Sequence, residues 1–179
     1  PAEGAYGQLA SRGLRVATSP AMKLVLGSKL VFGTGPVRLG QEGDRVREAF
    51  SAALGHVLDR DVRVVTAQSY ADLHGMLARD VVQVAWMSPA LALRAVDDVG
   101  AHALVSSVRA PGSQFYGVLF ARGDGRVKKL DDLRGARIGW VDRESCSGYL
   151  FPRLALVAGG YPLAGLFAEE RILGSHDAV

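Results

Sequence analysis

The residues best placed to do chemistry are Ser145, Cys146, Ser147 and Gly148, between an apolar run ending Trp140-Val141 and a helical pattern opening at Leu150-Phe151-Pro152. Strand, small polar loop and helix start is the layout that aims free backbone N–H groups at an anion. Three small side chains and a glycine let a ligand come close to the main chain. Pro152 lacks an N–H and is tolerated only in a first turn, so the spacing predicts a regular helix from near Leu150. The amides of residues 145–148 then lie ahead of that helix, unpaired. The same pattern also describes a capped turn that holds nothing, and the rest of the chain has to decide between the two.

A second chemistry is open to the same loop. Cys146 could be a nucleophile, its thiolate favoured by the helix start, with His176 as base. Glu144 and Ser145 precede the cysteine, so the loop is not a G-x-S-x-G elbow, and a small residue filling a tight turn is the simpler account. His56, His74, His102 and His176 have no metal-ligand spacing to one another or to Cys146, so neither metal nor cofactor is expected. Phosphate-loop fingerprints are absent: Arg38 stands where a dinucleotide motif after Gly33-x-Gly35 needs its third glycine, and no GK[ST] occurs. Tyr70, Trp86, Phe115 and Tyr116 fall near strand ends or loops, where together they would wall a pocket with an anion floor. His176 follows Gly174-Ser175 at another helix start and is a second candidate anion contact.

Composition narrows the field. The 179 residues carry a net charge of +3 with no Lys/Arg block, so nucleic acid is not indicated. No stretch approaches the roughly 18 apolar residues of a spanning helix. The single cysteine excludes an internal disulfide framework. The chain opens on Pro1 without a secretory leader, which suits a mature form or an excised fragment.

Residues 1–28 read as an extension or linker with one strand-like run at Leu14-Arg15-Val16-Ala17-Thr18. From Lys29 the pattern is regular. Strands are expected at 30–33, 62–66 and 81–86. Asp44 is expected to cap a helix with an apolar stripe Val46, Phe50, Leu54 and Val57. Ser69-x-x-Asp72 resembles a capping box, and Ser88-Pro89 pairs an N-cap with a first-turn proline. Three strand–helix units argue for a parallel sheet whose ligands sit beyond the strands' carboxyl ends. Two longer strands are expected at 103–108 and 115–120, flanking the loop 109–114. A helical turn at 130–133, a strand at 137–141, a helix ending at Gly159-Gly160, a strand at 171–173 and a nascent helix after Gly174 complete a second α/β unit. The expected division is 1–28, then a first lobe over 29–110 and a second, incomplete lobe over 111–179.

These pieces resemble a known family. Val31-Phe32-Gly33-Thr34-Gly35-Pro36, Ser69-Tyr70-Ala71-Asp72-Leu73 and Val82-Gln83-Val84-Ala85-Trp86-Met87-Ser88-Pro89 stand in its order and spacing. So do Tyr116-Gly117-Val118-Leu119-Phe120, Leu130-Asp131-Asp132-Leu133, Ser145-x-Ser147-Gly148-Tyr149-Leu150-Phe151-Pro152 and Gly174-Ser175-His176-Asp177-Ala178. The run from Leu30 onward resembles the PhnD-like phosphate, phosphite and phosphonate-binding proteins of ABC importers. These are type II periplasmic binding proteins, with two α/β lobes, mixed sheets and no catalytic activity.

The resemblance implies that Ser145, Cys146, Ser147 and His176 hold the oxyanion and that Tyr70 adds a hydroxyl from the first lobe. With the neighbouring helix start and loop positions, the candidate ligand set is Tyr70, Ser88, Tyr116, Ser145, Cys146, Ser147, Gly148, Tyr149 and His176. It also implies an importer permease as partner and a periplasmic or extracytoplasmic setting, lipid-anchored in some forms. A sensor module attached to a signalling receptor or kinase would use the same pocket.

Four departures stand out. Cys146 replaces a common Thr, and Ser88 a glycine. Arg143-Glu144 replace Pro-x, so Glu144 must point away from the anion site. The family chain also continues well past this point. The expectation is a fragment, or lobes completed by another chain or by exchange between copies.

Overall fold

The computed structural model describes residues 29–37, 42–106 and 116–179. The expected extension 1–28 with its strand, Arg38, the loop 109–114 and Phe115 lie outside the described residues.

The first unit is a parallel three-stranded sheet in the order β2-β1-β3, with β1 at Lys29–Thr34, β2 at Asp61–Thr66 and β3 at Val84–Trp86. β1 runs in step with β2 from Lys29 opposite Asp61 to Thr34 opposite Thr66, and pairs Phe32 with Val84 on its other side. Helices α1 (Glu42–Leu58), α2 (Tyr70–Ala78) and α3 (Pro89–Val99) follow the three strands. α1 begins at Glu42, two residues before the expected cap Asp44. Both acidic residues lie in its first turn, where the helix dipole favours them.

Ser69 caps α2 by accepting from the Asp72 amide at 2.9 Å, while the Asp72 carboxylate accepts from the Gln68 amide at 2.9 Å. The box is therefore reciprocal, but reaches one residue further back than its usual form. Replacing Ser69 with alanine is expected to cost about 1 kcal/mol, read as a lower denaturant midpoint at unchanged slope. β3 is shorter than the expected 81–86. The amides of Val81 and Val82 are spent on the Met76 carbonyl, closing α2 through Asp80 at φ 56°. Ala67, Leu73 and Leu91 form the core between α2, α3 and the sheet.

The second unit holds a 3-10 turn at Leu130–Leu133, β4 at Ala136–Trp140, a π turn at Cys146–Leu150, α4 at Phe151–Ala158, β5 at Phe167–Ile172 and a 3-10 turn at His176–Ala178. β4 and β5 pair in parallel over a core of Leu133, Trp140, Leu156 and Leu166. β5 starts four residues before the expected strand at 171. Its Glu169-Glu170 interrupt any apolar run, because the described two-stranded sheet leaves much of β5 exposed. The expected helix after Gly174 is a single 3-10 turn.

The strands expected at 103–108 and 115–120 are not formed in their described parts: residues 101–106 and 116–120 belong to no strand or helix. A β-branched run becomes a strand only where a neighbour supplies hydrogen bonds. Here Val105 is 76 % and Phe120 74 % exposed. The α1 stripe is likewise half open. Phe50 meets Phe32 edge-on at 5.3 Å, yet Val46, Phe50 and Val57 all stay exposed. Among the described residues, no helix is long and apolar enough to cross a membrane.

Candidate functional site

The loop from β4 to α4 is built by its own polar groups. The Asp142 carboxylate accepts from the Glu144 amide at 2.9 Å and the Asp142 carbonyl from the Ser145 amide at 3.0 Å, turning the chain sharply. Ser145 then caps the π turn, its Oγ accepting from the Gly148 amide at 3.1 Å, and its carbonyl accepts from Leu150 five residues on. The Gly148 carbonyl accepts from the Val141 amide at 3.2 Å, folding the turn back onto the strand end.

This corrects the expectation of four free amides. The regular helix α4 does begin at Phe151, next to the expected Leu150, but a π turn from Cys146, capped by Ser145, runs ahead of it and merges into it. The Ser145 and Gly148 amides are paired. Cys146 and Ser147 stand in the first turn, where helical geometry offers an amide no backbone acceptor. π turns within helices recur at functional positions.

Tyr70, at the start of α2, comes near this loop, its phenol close to the Ser145 hydroxyl, the Asp142 carboxylate and Cys146. Burial raises the Tyr70 phenol above its ordinary value. The nearby Ser145 hydroxyl opposes that shift and the Asp142 carboxylate reinforces it. The phenol is therefore neutral at physiological pH and keeps its proton to donate.

Ser88, the N-cap of α3, accepts from the Leu91 amide at 3.3 Å and donates to the Glu144 carbonyl at 2.7 Å. Glu144 points outward as required: its Oε1 takes Arg94 Nη1 at 2.5 Å. Arg94 was not singled out in the sequence, where fifty residues separate it from its partner.

Tyr116 is 79 % exposed, but its neighbour Gly117 runs against the π turn. A Cβ there would lie 2.8 Å from the Ser147 carbonyl oxygen. Tyr149 is turned elsewhere: its ring stands edge-on to Trp140 at 5.6 Å, beneath the Arg153 guanidinium at 4.7 Å. Packing accounts for it without a ligand.

Two bonds, Leu173 N to the Trp140 carbonyl at 2.8 Å and Gly174 N to the Val141 carbonyl at 2.7 Å, bring Ser175 and His176 to the same strand end. His176 is exposed at the head of its turn, whereas Ser175 is buried with Oγ unpartnered. In sequence Ser175 was only a helix start. Its burial could not be read there. Cys146 is 5 % exposed, which shields its thiol from an incoming substrate. Among the described residues, no group of three His, Cys, Asp or Glu side chains could hold a metal ion.

Both α/β units place small polar residues and helix starts just beyond the carboxyl ends of their strands, where ligands of parallel sheets sit. The chain belongs to the periplasmic substrate-binding proteins of phosphonate ABC transporters, whose family model matches residues 32–179. Solved structures agree on the fold. A binding-protein component of an ABC phosphonate transporter from Pseudomonas aeruginosa superposes with a TM-score of 0.70 at 23% identity, over 83% of this chain and 51% of that one. PhnD1 of Prochlorococcus marinus in complex with methylphosphonate gives 0.58 at 18% identity, over 84% and 58%. A Xanthomonas citri protein bound to ATP gives 0.55 at 23% identity, over 83% and 57%. The chain thus spans about half the length of the structures it matches.

Proposed function

We propose that this chain contributes the anion-binding half-sites of a protein that captures a phosphorus oxyanion outside the cytoplasm for an ABC importer. The observation that carries this reading is the approach of the Tyr70 phenol, on α2, to Ser145, the residue that caps the π turn. Ser145 Oγ accepts from Gly148 and the Tyr70 phenol keeps its proton, so both hydroxyl protons are available to an anion held beside them. The amides of Cys146 and Ser147, the Ser147 hydroxyl and His176 add donors from the second lobe.

Neutral donors suit a dehydrated oxyanion, since charge-assisted hydrogen bonds repay its desolvation. Closure of the lobes then excludes water. The importer permease partner and the extracytoplasmic setting follow from the family description.

Calorimetric titration of the full-length protein tests this, with methylphosphonate, phosphite, phosphate and ATP as ligands. ATP belongs in the series because a relative of the same fold holds it. At least one of the three small oxyanions should bind, and Ser147→Ala should weaken it about ten- to a hundred-fold, the range for a hydrogen bond to a charged group. Absence of binding by every oxyanion would overturn the reading. Binding of ATP alone would move the substrate class to nucleotides.

A further inference from the structure

We propose that Glu144 is an interlobe latch, which docks the anion loop on the first lobe before any ligand arrives. Glu144 ties the loop to the first lobe twice. Ser88 donates to its carbonyl at 2.7 Å, and Arg94 takes its carboxylate at 2.5 Å. Both partners lie on or cap one helix, α3, so a single rigid element grips main chain and side chain together.

The cation is positioned from behind. Arg94 Nε donates to Asp98 Oδ2 at 3.1 Å on its own helix, and that carboxylate oxygen also lies 3.3 Å from Nε2 of the buried His74 on α2. With its fork braced on Asp98, the guanidinium has less freedom to lose on pairing with Glu144. None of these contacts involves a ligand, so the attraction acts on the empty cleft. It also draws a carboxylate away from the donors at Cys146 and Ser147.

Arg94 is 46% and Glu144 25% exposed at the side chain, so the pair is partly screened by salt. The latch should favour the closed over the open arrangement about three- to five-fold, the size of a well-placed, partly exposed ion pair.

Small-angle scattering of the ligand-free, full-length protein, fitted to closed and open states at low and high ionic strength, tests this. The wild-type closed-to-open ratio should fall about three- to five-fold on adding salt. Glu144→Gln should show the high-salt ratio at low salt, and Arg94→Gln the same, with no further loss in the double variant. Arg94→Lys, which keeps the charge, should retain the salt response. Should Glu144→Gln fail to fold, the wild-type salt response and Arg94→Lys carry the test. A wild-type ratio indifferent to salt, a folded Glu144→Gln indistinguishable from wild type, or additive losses in the double variant would overturn the latch. No oxyanion is present, so this outcome and that of the ligand titration are independent.

Discussion

Replacing Gly148 with alanine should both destabilise the protein and abolish oxyanion capture. A Cβ at that position would lie 2.6 Å from Val141 Cβ and 3.0 Å from Ser145 Oγ. Val141 is 2 % exposed, and its Cβ cannot withdraw without moving β4's end. Relief therefore has to come from the turn, which is tied at Gly148 by the bond to Ser145 Oγ and the bond from Val141 N. Shifting it breaks both and dismantles the helix head that presents Cys146 and Ser147. Overpacking of this kind costs about 1–3 kcal/mol.

Gly123→Ala is the control, because a methyl group there would meet nothing within 4 Å and the change should be near neutral. Denaturant midpoints of the two variants, with calorimetry on whichever fold, measure the effect. A Gly148→Ala protein as stable as wild type and binding as tightly would mean that the turn is not packed as described.

The largest loss of stability is expected from Trp140→Ala. Trp140 is the biggest fully buried side chain of the second lobe, standing edge-on to Tyr149 at 5.6 Å and Phe167 at 5.9 Å. Its indole N–H donates to Glu170 at 2.7 Å, and Arg153 lies over its ring at 5.5 Å. Emptying that volume should cost about 3–5 kcal/mol, a large share of the roughly 5–15 kcal/mol a domain has. Trp140→Phe keeps the ring contacts and gives up the hydrogen bond. Glu170 still has Arg153, so this variant should lose only about 1 kcal/mol. Thermal melts that ranked the two variants together would place the stabilisation in the hydrogen bond, not in the packing.

Much of this was legible in the chain because it is local. Ser69 and Ser88 cap helices through their own next turn, and the runs at 30–33 and 62–66 are apolar enough to name themselves as buried strands. Where the reading failed, a distant partner decided. Residues 101–106 and 116–120 have strand composition without a neighbouring strand. Residues 167–170 became a strand because β4 lay alongside despite two glutamates. Val81 and Val82 went to the Met76 carbonyl, since the end of a helix has acceptors to satisfy before a sheet does.

The site divides along the same line. By itself the sequence determined that residues 145–148 form a small, polar, capped turn between strand and helix, because side-chain size, capping and proline placement act within a few residues. Only the tertiary structure decided what faces it. It brought Tyr70 to Ser145, turned Tyr149 onto Trp140, buried Ser175, and met the carboxylate of Glu144 with an arginine fifty residues away. Hydroxyl and ion pairs act over a few ångströms, and which residues come that close is set by how two lobes pack, a property that no short stretch of chain contains.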